Sequence, residues 1–172
     1  MNGQANAVLI LLFLVATTVG AQTPSTDQAG HETQARGYRV DPSTGLIWAA
    51  KDSGKDFSWK GAVKYCQKLR LAGFSDWRLP NMAELQSVYD RSANAPELAG
   101  VHSQDQTTWH VKGNLFLTAY EWSSTGILDD RGHPSGYEEY FDFDDGKPND
   151  DPTGFPYPHS FRRALCVRGT WK

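Results

Sequence analysis

The chain has 172 residues, a formal net charge of -3 and a sequence pI near 5.9. That length gives one domain a real core and is short for two, and the acidic balance argues against the basic face a nucleic-acid binder needs. Six Trp, seven Tyr and eight Phe against two Met fit an extracytoplasmic binding domain better than a helical bundle.

Residues 7–21, AVLILLFLVATTVGA, are an apolar run ending in small residues, with a cleavage site after Val19, Gly20 and Ala21. Residues 1–21 therefore read as a secretory signal peptide. An uncleaved anchor is the competing reading. No Lys or Arg precedes the run, yet it falls short of the roughly 20 residues a membrane span needs. No cysteine follows the site for lipid attachment. The expectation is a secreted or periplasmic protein with no membrane contact after cleavage. Residues 22–36, QTPSTDQAGHETQAR, are polar and aperiodic and predict a flexible leader. His31 and Glu32 in it read as solvated side chains.

The domain is expected over 37–172. Tyr38 and Val40, then DPSTG, then Leu46, Ile47 and Trp48 predict a hairpin about a Pro- and Gly-bearing turn. Ser58 caps a predicted helix to Leu69, with Trp59, Ala62, Val63, Cys66 and Leu69 at helical spacing and Lys60, Lys64 and Lys68 opposite. Residues 74–90, FSDWRLPNMAELQSVYD, are the structural keystone. Pro80 keeps Leu79 extended, Asn81 stands as N-cap, and Glu84 completes a capping box. Met82, Leu85, Val88 and Tyr89 share one face of the helix that follows. Before the hinge, either Trp77 and Leu79 point inward with Arg78 outward, or Trp77 lies flat on the core and Arg78 pairs with an acid. Long surface loops follow Asp90. Strands are expected at Tyr120–Thr125, Tyr137–Phe143 and Phe161–Arg168, around the turn Asp144-Asp145-Gly146 and a Pro-rich excursion over 147–160.

Two cysteines, Cys66 and Cys166, in an exported chain read as one disulfide clamping the first helix to the end of the chain. A redox thiol is the alternative, but there is no Cys-x-x-Cys. Asp142, Asp144, Asp145, Asn149 and Asp150, with Asp151, supply hard oxygens for calcium without EF-hand spacing; a solvated acidic loop is the bland account. Trp109, Tyr137, Phe155 and Tyr157 are candidate sugar-stacking aromatics, whereas Trp48, Trp59, Trp77 and Trp122 are assigned to the core. Arg162, with Arg163, Arg168, Arg78 and Arg131, offers guanidinium forks for sulfate or carboxylate, although nearby acids compete for them. His31, His102, His110, His133 and His159 match no zinc or triad spacing, and Ser123-Ser124 lacks the Gly flanks of a nucleophile elbow.

In order and spacing, TGLIW (44–48), AVKYCQKL (62–69), GFSDWRLPNMAELQSVYD (73–90), EWSST (121–125), YFDFDDG (140–146) and RALCVRG (163–169) resemble the Lcl C-terminal domain family over about residues 37–170. The resemblance implies an extracytoplasmic module related in fold to C-type lectins, whose namesake is an adhesin for sulfated glycosaminoglycans. It also implies a disulfide from first helix to last strand, where Cys66 and Cys166 stand. Lys147-Pro148-Asn149-Asp150 is similar to the sugar-binding loop of calcium-dependent lectins, with Lys in place of an acid. The expected fold is α+β and C-type lectin-like, two helices on a small antiparallel sheet with long loops. The expected function is a non-catalytic binding module for an extracellular glycan or adhesion partner, with no cofactor other than calcium as a candidate. A structural or protein-interaction domain of the cell envelope is the second reading. A relative of the formylglycine-generating oxidases is the third, and its chemistry needs free thiols.

Overall fold

The computed structural model describes residues 26–96, 107–153 and 161–171, with side chains in the first stretch from 31 onward. It is a mixed α+β structure of three α-helices and three sheets among the described residues. One sheet holds a parallel pair, so the expectation of two helices on a single antiparallel sheet is too simple.

Helix α1, Thr26–Arg36, occupies most of the stretch expected to be a flexible leader. Glu32, Gln34, Ala35 and Arg36 are good helix formers, and Glu32 pairs with Arg36 one turn on at 3.9 Å. Gly37 at φ +76° terminates the helix, donating its N–H to the carbonyls of Thr33 and Gln34. A helix polar on all sides carries no apolar period, which is why the sequence pattern misses it.

Strands β1 (Tyr38–Val40) and β2 (Ile47–Ala49) form the expected hairpin, with Tyr38 opposite Ala49 and Val40 opposite Ile47. The Asp41 carboxylate ties the turn, accepting from the Ser43 N–H and hydroxyl and from the Thr44 hydroxyl at 2.6–3.1 Å. Helix α2 (Trp59–Lys68) begins at the Ser58 cap and buries Ala62 and Cys66, leaving Lys60, Lys64 and Lys68 exposed. Helix α3 (Met82–Val88) has the full capping box, Asn81 Oδ1 accepting from the Glu84 N–H and Glu84 Oε2 from the Asn81 N–H. Trp77 and Leu79 point inward while Arg78 points out, as the first reading of this segment has it, and Arg78 pairs with an acid, Glu84, as the second has it.

The region after Asp90 contains β3 (Tyr89–Asn94) and β4 (His110–Val111), an antiparallel pair, then a short 3-10 helix at Lys112–Asn114. The largest sheet runs in the order β7-β6-β5-β8, from β5 (Tyr120–Leu128), β6 (Pro134–Asp142), β7 (Lys147–Pro152) and β8 (Arg162–Arg163). Pro148 and Pro152 are tolerated because β7 is an edge. The single strand expected at Phe161–Arg168 is two. β8 pairs parallel with β5, and β9 (Val167–Arg168) joins β2 in the other sheet. Ala164, Leu165 and Cys166, each at most 1% exposed, carry the chain through the core between them.

The core has two apolar clusters. One surrounds Trp48, Leu85, Leu115, Phe141, Phe143 and Leu165; the other surrounds Ala62, Cys66, Trp77 and Trp122. The Cys66–Cys166 disulfide lies in the second, and no free cysteine occurs among the described residues. No described helix is long and apolar enough to cross a membrane.

Candidate functional site

Partners across a ladder share a face of a sheet, and neighbours along a strand alternate. On β6 and β7, Glu138 opposite Asp151, Tyr140 opposite Asn149 and Asp142 opposite Lys147 therefore lie on one face. Tyr137 opposite Pro152 and Glu139 opposite Asp150 lie on the other. Arg162 on β8 reaches across the first face. Its guanidinium carbon sits 3.7 Å from the Tyr140 ring centroid and 5.0 Å from that of Tyr120, while Nη2 pairs with Asp151 Oδ2 at 3.3 Å. The rings continue sideways, Tyr120 to Trp109 at 5.4 Å and Tyr140 to Trp122 at 6.1 Å, both edge to face. Stacking on two partly desolvated rings holds the guanidinium by about 1–2 kcal/mol. The result is a planar donor fixed beside a carboxylate acceptor over an aromatic base.

The electrostatics of this face are acidic. Burial raises the pKa of Glu138, and the charge of Glu139 adds to the effect. Burial also raises Asp142; the neighbouring charges of Asp144 and Asp145 reinforce it, against hydrogen bonds from their amides. Tyr140 is raised by burial first, with Arg162 opposing and Asp151 assisting. Glu138 is 9% exposed, and its Oε2 has no hydrogen-bond partner among the described residues.

The proposed residues fare unequally. Arg162 is in the cluster. Tyr137 is exposed but on the opposite face. Trp109, just before β4, is 8% exposed and packed in the core, so it cannot offer a ring face to a sugar. Phe155 and Tyr157 lie outside the described residues, as do His102 and His159. The calcium set is dispersed. Asp142 and Asn149 share one face and Asp150 takes the other, because Asn149 and Asp150 are strand residues and not loop residues. Asp145 is occupied by the Lys147 amide and ammonium, and Asp142 accepts from the Asp144 N–H. Among the described residues no three His, Cys, Asp or Glu are grouped to hold a metal ion.

The arginines resolve towards internal pairing. Arg78 forks onto Glu84 at 2.6 and 2.7 Å, and Arg168 forks onto Asp76 at 2.7 and 3.0 Å while lying over Phe74. Arg163 pairs with Asp56 and also bonds Thr118. Arg131 is exposed, in the β5–β6 turn.

A second polar cluster escapes sequence reasoning altogether. Asp52, 3% exposed, accepts from the Gly54 and Thr118 N–H groups and the Thr118 hydroxyl. Glu121, fully buried, is beside it and reaches no donor of ordinary geometry among the described residues. Burial raises both pKa values, and for Glu121 the charge of Asp52 adds, with Arg163 and the Leu165 amide opposing. A carboxyl proton on Glu121 would give one of its two unpartnered oxygens a bond to Asp52. The one available signal was an acid between two inward aromatics in Tyr120-Glu121-Trp122, which alternation alone would have sent to a solvent face.

The family model for the Lcl C-terminal domain matches residues 37–168, from the glycine that ends α1 to the last residue of β9. The chain belongs to the Lcl C-terminal domain family. This family is found in bacteria. No curated protein matches the chain. Both cysteines and the whole Arg162 cluster fall within the Lcl C-terminal domain, whereas α1 precedes it.

Proposed function

We propose that the protein is an exported, non-catalytic binding module for an extracellular glycan, with 1–21 as its signal peptide and a C-type lectin-like fold. One observation carries the reading: Arg162, stacked on Tyr140 and paired with Asp151, holds a planar donor and an acceptor side by side on one face of the largest sheet, with their side chains 14% and 27% exposed. Adjacent hydroxyls of a sugar ring need that combination, and the fixed geometry limits the entropy lost on binding. The disulfide and the membership of the Lcl C-terminal domain family support an extracytoplasmic setting.

Internal pairing of four arginines favours the second reading, a structural or protein-interaction domain of the envelope. Oxidase chemistry on free thiols has nothing to start from while Cys66 and Cys166 are joined. The buried Asp52–Glu121 pair has no exposed surface from which to reach a substrate.

Glycan-array screening of the oxidised protein, followed by calorimetry on the best ligand, tests the proposal. Arg162→Ala and Asp151→Asn are each expected to weaken binding about 10-fold or more, since a charge-assisted hydrogen bond contributes at least 1.4 kcal/mol. Silence across the array, with an envelope protein captured through an interface that includes Arg162, would replace this reading with the second.

A further inference from the structure

The Arg162 cluster also carries information about the charge of its ligand. Residues 134–152, which form β6, its turn and β7, contain seven Asp and Glu and one Lys. That lysine, Lys147, is 2.8 Å from Asp145, and Arg162 is closed on Asp151. Lys147 and Arg162 are thus paired with acids of the protein, and Lys147 also stands opposite Asp142, while Glu138 shares the face of Tyr140 with no ion pair among the described residues. Glu138 lies where it faces β5 over Gly126; a Cβ added at Gly126 would meet its Oε2 at 3.3 Å. Glycine there leaves that buried oxygen room, and an ammonium donor is the partner it lacks.

We infer that this face selects glycans bearing protonated amines, such as free glucosamine units, over neutral ones and over sulfated ones. The inference rests on the glycan-binding reading above. It also departs from the sulfated ligand that the family resemblance implies, because a sulfate approaching Tyr140 meets the carboxylates of Glu138, Asp142 and Asp151, and the cations on that face, Arg162 and Lys147, are each already paired with an acid. An ammonium instead donates a charge-assisted hydrogen bond to Glu138 on one side of Tyr140, or to Asp142 on the other, while ring hydroxyls engage Arg162 and Asp151. The raised pKa values of Glu138 and Asp142 agree with a face short of positive charge.

The test is a titration of the oxidised full chain at about pH 6, where such amines are charged, against three oligosaccharides of equal length. These are a glucosamine oligomer, its N-acetylated counterpart and a heparin fragment. The glucosamine oligomer is expected to bind about 10-fold more tightly than the N-acetylated one, equivalent to 1.4 kcal/mol, with heparin weakest. Glu138→Gln and Asp142→Asn should each erode that preference towards unity while sparing the N-acetylated ligand. Asp144→Asn, in the exposed turn, should leave it intact. Heparin as the tightest ligand would overturn the inference and leave glycan binding standing. A preference that survives Glu138→Gln and Asp142→Asn, or that Asp144→Asn removes equally, would show diffuse attraction and also overturn it. Absence of binding to all three and to the glycan array would remove the underlying reading itself.

Discussion

Glu84 makes three hydrogen bonds from a nearly buried carboxylate: two with the Arg78 fork and one with the Asn81 amide. One side chain thus caps α3 and fixes the extended segment that docks on β9 through Arg78 and Val167. Glu84→Gln keeps the shape but turns an amide donor towards a guanidinium or an N–H, and should cost about 2–4 kcal/mol in urea unfolding. A loss below about 0.5 kcal/mol would mean that the half-exposed Arg78 is screened by water. Glu121 acts through protons. Its carboxyl has a raised pKa in the folded protein, so its contribution to stability is complete below its ordinary value of 4.5 and is lost as pH rises through the folded value. Asp41 works in the opposite sense. Burial pushes it up, but Thr44 and Ser43 hydrogen bonds with Arg39 bring it below 3.8, so its contribution is lost as acid protonates it. The melting midpoint should therefore be highest in mild acid and fall as pH rises through the raised Glu121 value. Glu121→Gln, whose amide can donate to Asp52 at any pH, should flatten that fall and raise the midpoint on its alkaline side. Identical pH profiles for the two proteins would exclude a shared proton.

The β6–β7 hairpin is the element on which the candidate site depends, and its turn tolerates little change. Gly146 has φ +78°, and a Cβ there would lie 2.5 Å from the Tyr89 ring, which itself packs edge-on against Phe141. Gly146→Ala must strain the backbone and displace a ring braced by the core, at about 2–3 kcal/mol. Gly132, in the β5–β6 turn, has φ +79° and open space around it. Gly132→Ala should cost only the backbone term, about 1 kcal/mol; equal losses in denaturant titrations would mean that Tyr89 yields freely. These elements also mark what local sequence can specify. The Ser58 cap, the Asn81–Glu84 box and the DPSTG turn were legible because each is decided by residues within three or four positions. The break between β8 and β9 was not, because it follows from two sheets bidding for one apolar run. Nor was the burial of Trp109, which depends on Tyr120 and the β3–β4 pair arriving from elsewhere. The calcium set failed for a related reason: a loop reading of Asn149 and Asp150 hides the alternation that places them on opposite faces.

At the scale of the molecule, the disulfide connects the pieces that local rules leave separate. Cys66 lies on the buried face of α2, and Cys166 ends the crossing from β8 to β9, with its carbonyl accepting from the Ala49 N–H of β2. The bond therefore fixes helix, small sheet and large sheet to one point in the core. The pairing was legible because only two cysteines exist; the crossing it secures was not. Constraining a loop with a sequence separation of 100 residues should stabilise the fold by roughly 4–5 kcal/mol on the chain-entropy account. Replacing both cysteines by Ala should then lower the urea midpoint by at least that equivalent, because it also removes two buried sulfur atoms from the core. A functional consequence follows from position, since Arg162 is four residues before Cys166 on the same segment. If the crossing loosens, the guanidinium loses its register over Tyr140, and glycan affinity should fall in the double variant even at temperatures where circular dichroism shows the protein folded. Reductant should reproduce the effect in the parent protein and have none in the double variant. Unchanged affinity in a folded, disulfide-free protein would separate the site from the clamp and leave the β5–β8 pairing alone to hold Arg162 in place.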